Sequence, residues 1–99
     1  MPKVITAAGR EYLVRYPVGA LIRAETHLGK PVSKVDWRAA SFHEMSILTR
    51  YGLHTIDGKP ISGEEYDLLL EEVGVPEFTE LFKEIVSELT PEEESTGKN

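Results

Sequence analysis

The side chains in this chain that could do chemistry are three histidines, 17 acidic residues and a few serines. The nearest approach to a reactive motif is His43-Glu44. A zinc protease begins in the same way on a helix: two histidines one turn apart hold the metal, and the glutamate takes a proton from its water. The second histidine would have to stand four residues on, and that residue is Ile47. His27, His43 and His54 share no spacing that gathers ligands, and with no cysteine there is no thiolate nucleophile, disulfide or sulfur-held zinc. Gly9, Gly19 and Gly29 form no phosphate-cradling run. Ser41 and Ser62 each stand three residues before a glutamate at the head of an apolar stretch, which is helix capping and not a nucleophile's setting. Glu64-Glu65 and Glu71-Glu72 point to different sides of a helix and belong to a solvated face. The expectation is a chain that is not an enzyme, with no catalytic residue, metal or cofactor.

One carboxylate breaks its local rule. Glu25 stands four residues after Leu21 and three before Leu28, on the apolar side of the first predicted helix. A buried carboxylate is costly unless paired or hydrogen-bonded. Two readings stay open: it accepts bonds from backbone N–H groups or from a nearby Arg or Trp37, or it is a contact for a partner's base.

Charge is polarised along the chain. Net charge is -6, and of the acids only Glu11, Glu25, Asp36, Glu44 and Asp57 precede residue 64. From there to residue 94, Lys83 is the one base. Such a run repels a phosphate backbone, so nucleic acid is disfavoured and a basic or partly unfolded protein is favoured as partner. The bland equivalent is a solvated face that confers solubility. The expected partner surface lies where acid is densest, on the flanks of the last two helices near Tyr66, Glu72, Glu80 and Glu84. No apolar run approaches the roughly 18 residues of a membrane span, and Met1-Pro2-Lys3-Val4-Ile5-Thr6 is no signal peptide. A soluble, cytoplasmic chain without membrane contact is expected.

The elements that must position these residues follow from period and punctuation. Residues 4–6 and 11–16 read as two strands around Ala7-Ala8-Gly9-Arg10, a β-hairpin. A helix follows Pro17, with Val18, Leu21, Ile22, Glu25 and Leu28 on one face and Gly29 as its cap. Capping boxes at Ser41 and Ser62 open two more helices, the first with Phe42, Met45, Leu48 and Tyr51 as its stripe, the second with Tyr66, Leu69, Leu70 and Val73. Phe78, Leu81, Phe82, Ile85 and Leu89 mark a last helix after Pro76. The fold class is α+β: a hairpin and three or four helices as one domain over 1–90, then a disordered acidic and polar tail over 91–99. The expected core comprises Tyr12, Val14, Leu21, Ile22, Leu28, Trp37, Phe42, Met45, Leu48, Leu69, Leu70, Leu81, Phe82 and Ile85.

That order of elements resembles the tail assembly chaperones of siphophages and gene transfer agents. In that family a strand leads into a helix of the form Ala-Leu-x-x-x-Glu-x-x-x-Gly-Lys, matched here by Ala20, Leu21, Glu25, Gly29 and Lys30. A serine-capped helix ending in an apolar residue, Gly and Leu is similar to residues 41–53, and a capped helix with paired acids plus a final amphipathic helix to residues 62–89. The segment 32–40 has no counterpart. The resemblance implies a host-cytoplasmic assembly factor that coats the tape measure protein, helps recruit the major tail tube protein and is absent from the finished virion; self-association stays open. The resemblance also implies a longer frameshifted form, and Thr96-Gly97-Lys98-Asn99 can be encoded by slippery heptamers. Two other readings come from different classes: an acidic mimic of DNA that inhibits a DNA-binding protein, and a neck or head–tail joining protein retained in the virion.

Overall fold

Two residues set the first turn. Ala8 and Gly9 both have positive φ, 53° and 77°, as a two-residue hairpin turn matched to the twist of its strands requires. The turn joins β1 (Lys3–Ala7) to β2 (Arg10–Val14) in an antiparallel ladder from Ala7 opposite Arg10 to Lys3 opposite Val14. Alternate residues share a face. Ile5, Ala7, Tyr12 and Val14 accordingly turn inward, and Val4, Thr6 and Glu11 outward. The expected hairpin is present, its second strand starting one residue earlier and ending two residues earlier than expected. The far side of β2 pairs with β3 (Leu53–His54), which makes a sheet in the order β1-β2-β3. This third strand is an addition to the sequence reading. The computed structural model describes residues 3–36 and 38–89. The expectations that Trp37 joins the core and that 91–99 is a disordered tail lie outside those residues.

Four helices complete the α+β fold. α1 (Val18–Leu28) ends on Gly29, whose φ of 76° lets its N–H return to the Glu25 carbonyl. A 3₁₀ turn over Val32–Lys34 then leads to α2 (Phe42–Gly52). α3 (Gly63–Glu72) and α4 (Val75–Leu89) follow β3. The capping box of α2 forms in full: Glu44 N–H donates to Ser41 Oγ and Ser41 N–H to Glu44 Oε1, each at 3.1 Å. At α3 half of it forms. Glu65 N–H donates to Ser62 Oγ at 3.1 Å, while the Glu65 carboxylate turns toward the Tyr12 hydroxyl, 3.5 Å away.

The helical stripes of α3 and α4 pack as their periods predict, with Tyr66, Leu69, Phe78, Leu81, Phe82 and Ile85 buried. Those of α1 and α2 are rotated. α1 buries Ala20 and Ala24 completely, with Leu21 and Leu28 half-buried, and leaves Val18 and Ile22 exposed. Two alanines let helices approach closely, and α1 meets α2 there. α2 buries Ile47, Leu48, Thr49 and Gly52, with Met45 and Tyr51 half-buried, and Phe42 is 56% exposed. Ile22 and Phe42 therefore leave the expected core. Phe42 is the first residue of α2, at the margin of the buried region. One apolar cluster lies between the sheet, α3 and α4 around Tyr12, Val14, Leu53, Leu69 and Ile85. A second gathers Ala24, Val35, Ile47, Leu48 and Phe82. α4 contributes to both.

Candidate partner-binding surfaces

The three histidines stay apart. His27 Nδ1 meets the Tyr51 hydroxyl at 2.6 Å with the two rings stacked, His43 is exposed, and His54 is buried against the Gly52 carbonyl at 3.2 Å. Burial lowers the pKa of His54 below the ordinary histidine value, Arg15 and Arg23 push the same way, and the Gly52 bond opposes them. Among the described residues no group of three or more His, Asp or Glu side chains is placed to hold a metal ion, and no helix is long and apolar enough to cross a membrane.

Glu25 makes a bond within the chain. Its Oε2 accepts from the Val32 N–H at 2.8 Å, and so it ties the end of α1 to the turn that follows. Tyr66 is the one nominated contact that the fold withdraws. It is 4% exposed, and its hydroxyl lies against Ser46, 2.9 Å from the carbonyl and 3.0 Å from Oγ. Its place in the apolar stripe of α3 turns it inward, and burial pushes the phenol up to about 12. The three nominated acids are exposed, and each has a base of the chain itself nearby: Glu72 with Arg10 at 3.4 Å, Glu80 with Lys83 at 3.3 Å, and Glu84 with Lys3 at 3.6 Å.

Grooves open on several faces among the described residues. The first is an apolar groove of about 250 Å³ between α2, the end of α3 and the start of α4, lined by Phe42, Ser46, Leu70, Val73, Val75 and Phe78. The Phe42 and Phe78 rings are 6.3 Å apart, and Phe42 and Val75 are more than half exposed. The second is a groove of about 270 Å³ between β1 and α4, lined by residues 4–7 and by Glu77, Glu80, Leu81 and Glu84. A third, of about 480 Å³, lies between α2 and α4, lined by Arg38, Ala40, Met45, Thr79, Phe82, Lys83 and Val86.

Sequence reasoning found Glu80 and Glu84 through acid density. It missed Phe42, Val75 and Glu77. An apolar residue at the first position of a helix, just after the cap, is the signal that could have marked Phe42 and Val75 as marginal to the core. For Glu77, the signal is its spacing of three and seven residues from Glu80 and Glu84. Compared with known protein families, with curated proteins and with solved structures, the chain matches none.

Proposed function

We propose that this chain is a non-catalytic protein-binding domain that acts as a tail assembly chaperone. It would hold helices of a tape measure protein and help bring tail tube subunits to them, then leave before the tail is complete. Two things support the reading: the motif of Ala20, Leu21, Glu25, Gly29 and Lys30 followed by the capped helices, and the apolar groove at Phe42. The groove is the observation that carries it. A ring more than half exposed at the mouth of an apolar cleft suits the apolar stripe of an amphipathic client helix, while the acidic surface around it keeps the complex dispersed.

The test is co-expression with the tape measure protein encoded nearby, followed by purification. The pair should copurify, and Phe42→Asp should abolish this while leaving the melting temperature nearly unchanged, because so exposed a ring adds little to folding. Copurification that survives Phe42→Asp sinks the groove as the client site. Recovery of the chain from purified virions favours the joining protein instead. Capture of a DNA-binding protein favours the DNA mimic, although the acids' pairing with the chain's own bases speaks against it.

A further inference from the structure

The sheet has two edges, and the described residues close one of them. Beside β3, Ile61 N–H donates to the Leu53 carbonyl at 3.2 Å, Thr55 N–H to the Lys59 carbonyl at 2.7 Å, and His54 bridges to Pro60. Among the described residues nothing of this kind covers β1. In an antiparallel ladder the pairs that exchange bonds alternate with pairs that do not. Counting from the two-residue turn, Ala7–Arg10, Ile5–Tyr12 and Lys3–Val14 bond inward, so Val4 and Thr6 direct their N–H and C=O outward. Among the described residues these outward groups have no hydrogen-bond partner, and both residues are exposed. An edge of that kind is a template for another strand.

α4 runs alongside, with Glu77 near Ala8 and Glu84 near Lys3. Glu77, Glu80 and Glu84 line the groove below the edge. At 1.5 Å per residue the ridge is about 10 Å long. Same-face side chains of an added strand would recur about every 7 Å. Two bases at alternate positions would therefore span the ridge. β1 itself provides the precedent: Lys3, on an extended strand, reaches Glu84 at 3.6 Å. The local partners are weak competitors, since Lys83–Glu80 is an exposed pair and Glu77 otherwise takes a 3.4 Å bond from Ala8 N–H.

We propose that the open edge of β1 takes up an extended segment of a partner protein with Lys or Arg at alternate positions, bonded through its backbone to Val4 and Thr6 and through its bases to Glu77, Glu80 and Glu84. A second copy of this chain fits poorly, because β1 would bring one base, Lys3, to three carboxylates, and each copy carries a net charge of -6. The proposal is independent of what the Phe42 groove binds.

The probe is the blocked peptide Thr-Lys-Thr-Arg-Val-Lys-Val, titrated into the isotopically labelled full chain and followed by NMR and amide exchange. Exchange at Val4 and Thr6 should slow on saturation. Binding should weaken about tenfold in a Glu77→Gln, Glu80→Gln, Glu84→Gln variant. It should be lost when the peptide's backbone is N-methylated on its pairing edge. Thr6→Pro, which removes an outward donor that the hairpin does not use, should also abolish binding at an unchanged melting temperature. If Thr6→Pro unfolds the chain, the N-methylated peptide decides. Unchanged exchange at Val4 and Thr6, equal binding of the N-methylated peptide or of one with its bases adjacent, or concentration-dependent protection without peptide would each overturn the proposal.

Discussion

Thr49 is completely buried, and its hydroxyl finds no hydrogen-bond partner among the described residues. An unsatisfied buried hydroxyl destabilises, and removing it without changing shape is neutral or favourable. Thr49→Val is therefore expected to stabilise by about 1 kcal/mol, read as a melting temperature about 4–8 °C higher. Gly52 is constrained differently. A methyl group there would sit 2.5 Å from the end of the Tyr16 ring, whose hydroxyl donates to the Leu48 carbonyl at 2.7 Å. Gly52→Ala should cost roughly 1–3 kcal/mol by denaturant unfolding. Added to Tyr16→Leu it should cost much less, since the clash then has no ring to strike. The residues that carry the family resemblance are similarly committed to the fold. Ala20 is fully buried, Gly29 adopts the left-handed cap and Glu25 holds Val32. Lys30 pairs with Glu44 at 2.5 Å, and this bond, with the Ser41 N–H, holds the Glu44 carboxyl below its usual range. The motif describes how α1 is joined to α2.

Among the elements, α4 is the one on which both apolar clusters depend: Leu81 and Ile85 face the sheet, and Phe82 faces the α1–α2 side. Phe82→Ala should cost roughly 3–5 kcal/mol, a large part of the stability of so small a domain, and thermal melting checks it. A melting temperature equal to the parent's would mean that α4 is not packed this way. The stripes of α3 and α4 were legible in the sequence because their large apolar residues recur at helical spacing and are the ones the fold buries. α1 was misread because hydrophobicity favours Val18 and Ile22, whereas close helix contact selects Ala20 and Ala24. β3 was invisible because two residues display no period, and only pairing with β2 makes them a strand. Of the candidate surfaces, the acids were legible by density. The open edge of β1 was not, since it depends on which strand lies in the middle of the sheet.

Across the whole molecule, the polarity of charge along the chain becomes proximity in space. The basic hairpin lies against the acidic helices through Lys3–Glu84 and Arg10–Glu72. These pairs are exposed and screened by salt, so they orient more than they stabilise. The pH dependence of stability has another source. His54 has a folded-state pKa lowered chiefly by burial, so the unfolded chain binds the extra proton first. Its contribution is intact above the unfolded value of about 6.5 and is lost as pH falls toward the folded value. Melting temperature should therefore drop as pH falls below about 6.5, before the carboxylates begin to titrate, and His54→Leu should flatten that slope. A slope of equal size in the variant would place the effect elsewhere. The contact between β1 and α4 also bears on how the chain comes off the ribosome. β1 has its cover in α4, far along the chain, so Ile5, Tyr12 and Val14 have no complete shelter until Leu81 and Ile85 are outside the exit tunnel. Nascent chains arrested before Phe78 should be cut readily by protease, and resistance should arrive in one step once α4 is free. During synthesis the domain is thus itself an exposed hydrophobic chain until α4 emerges.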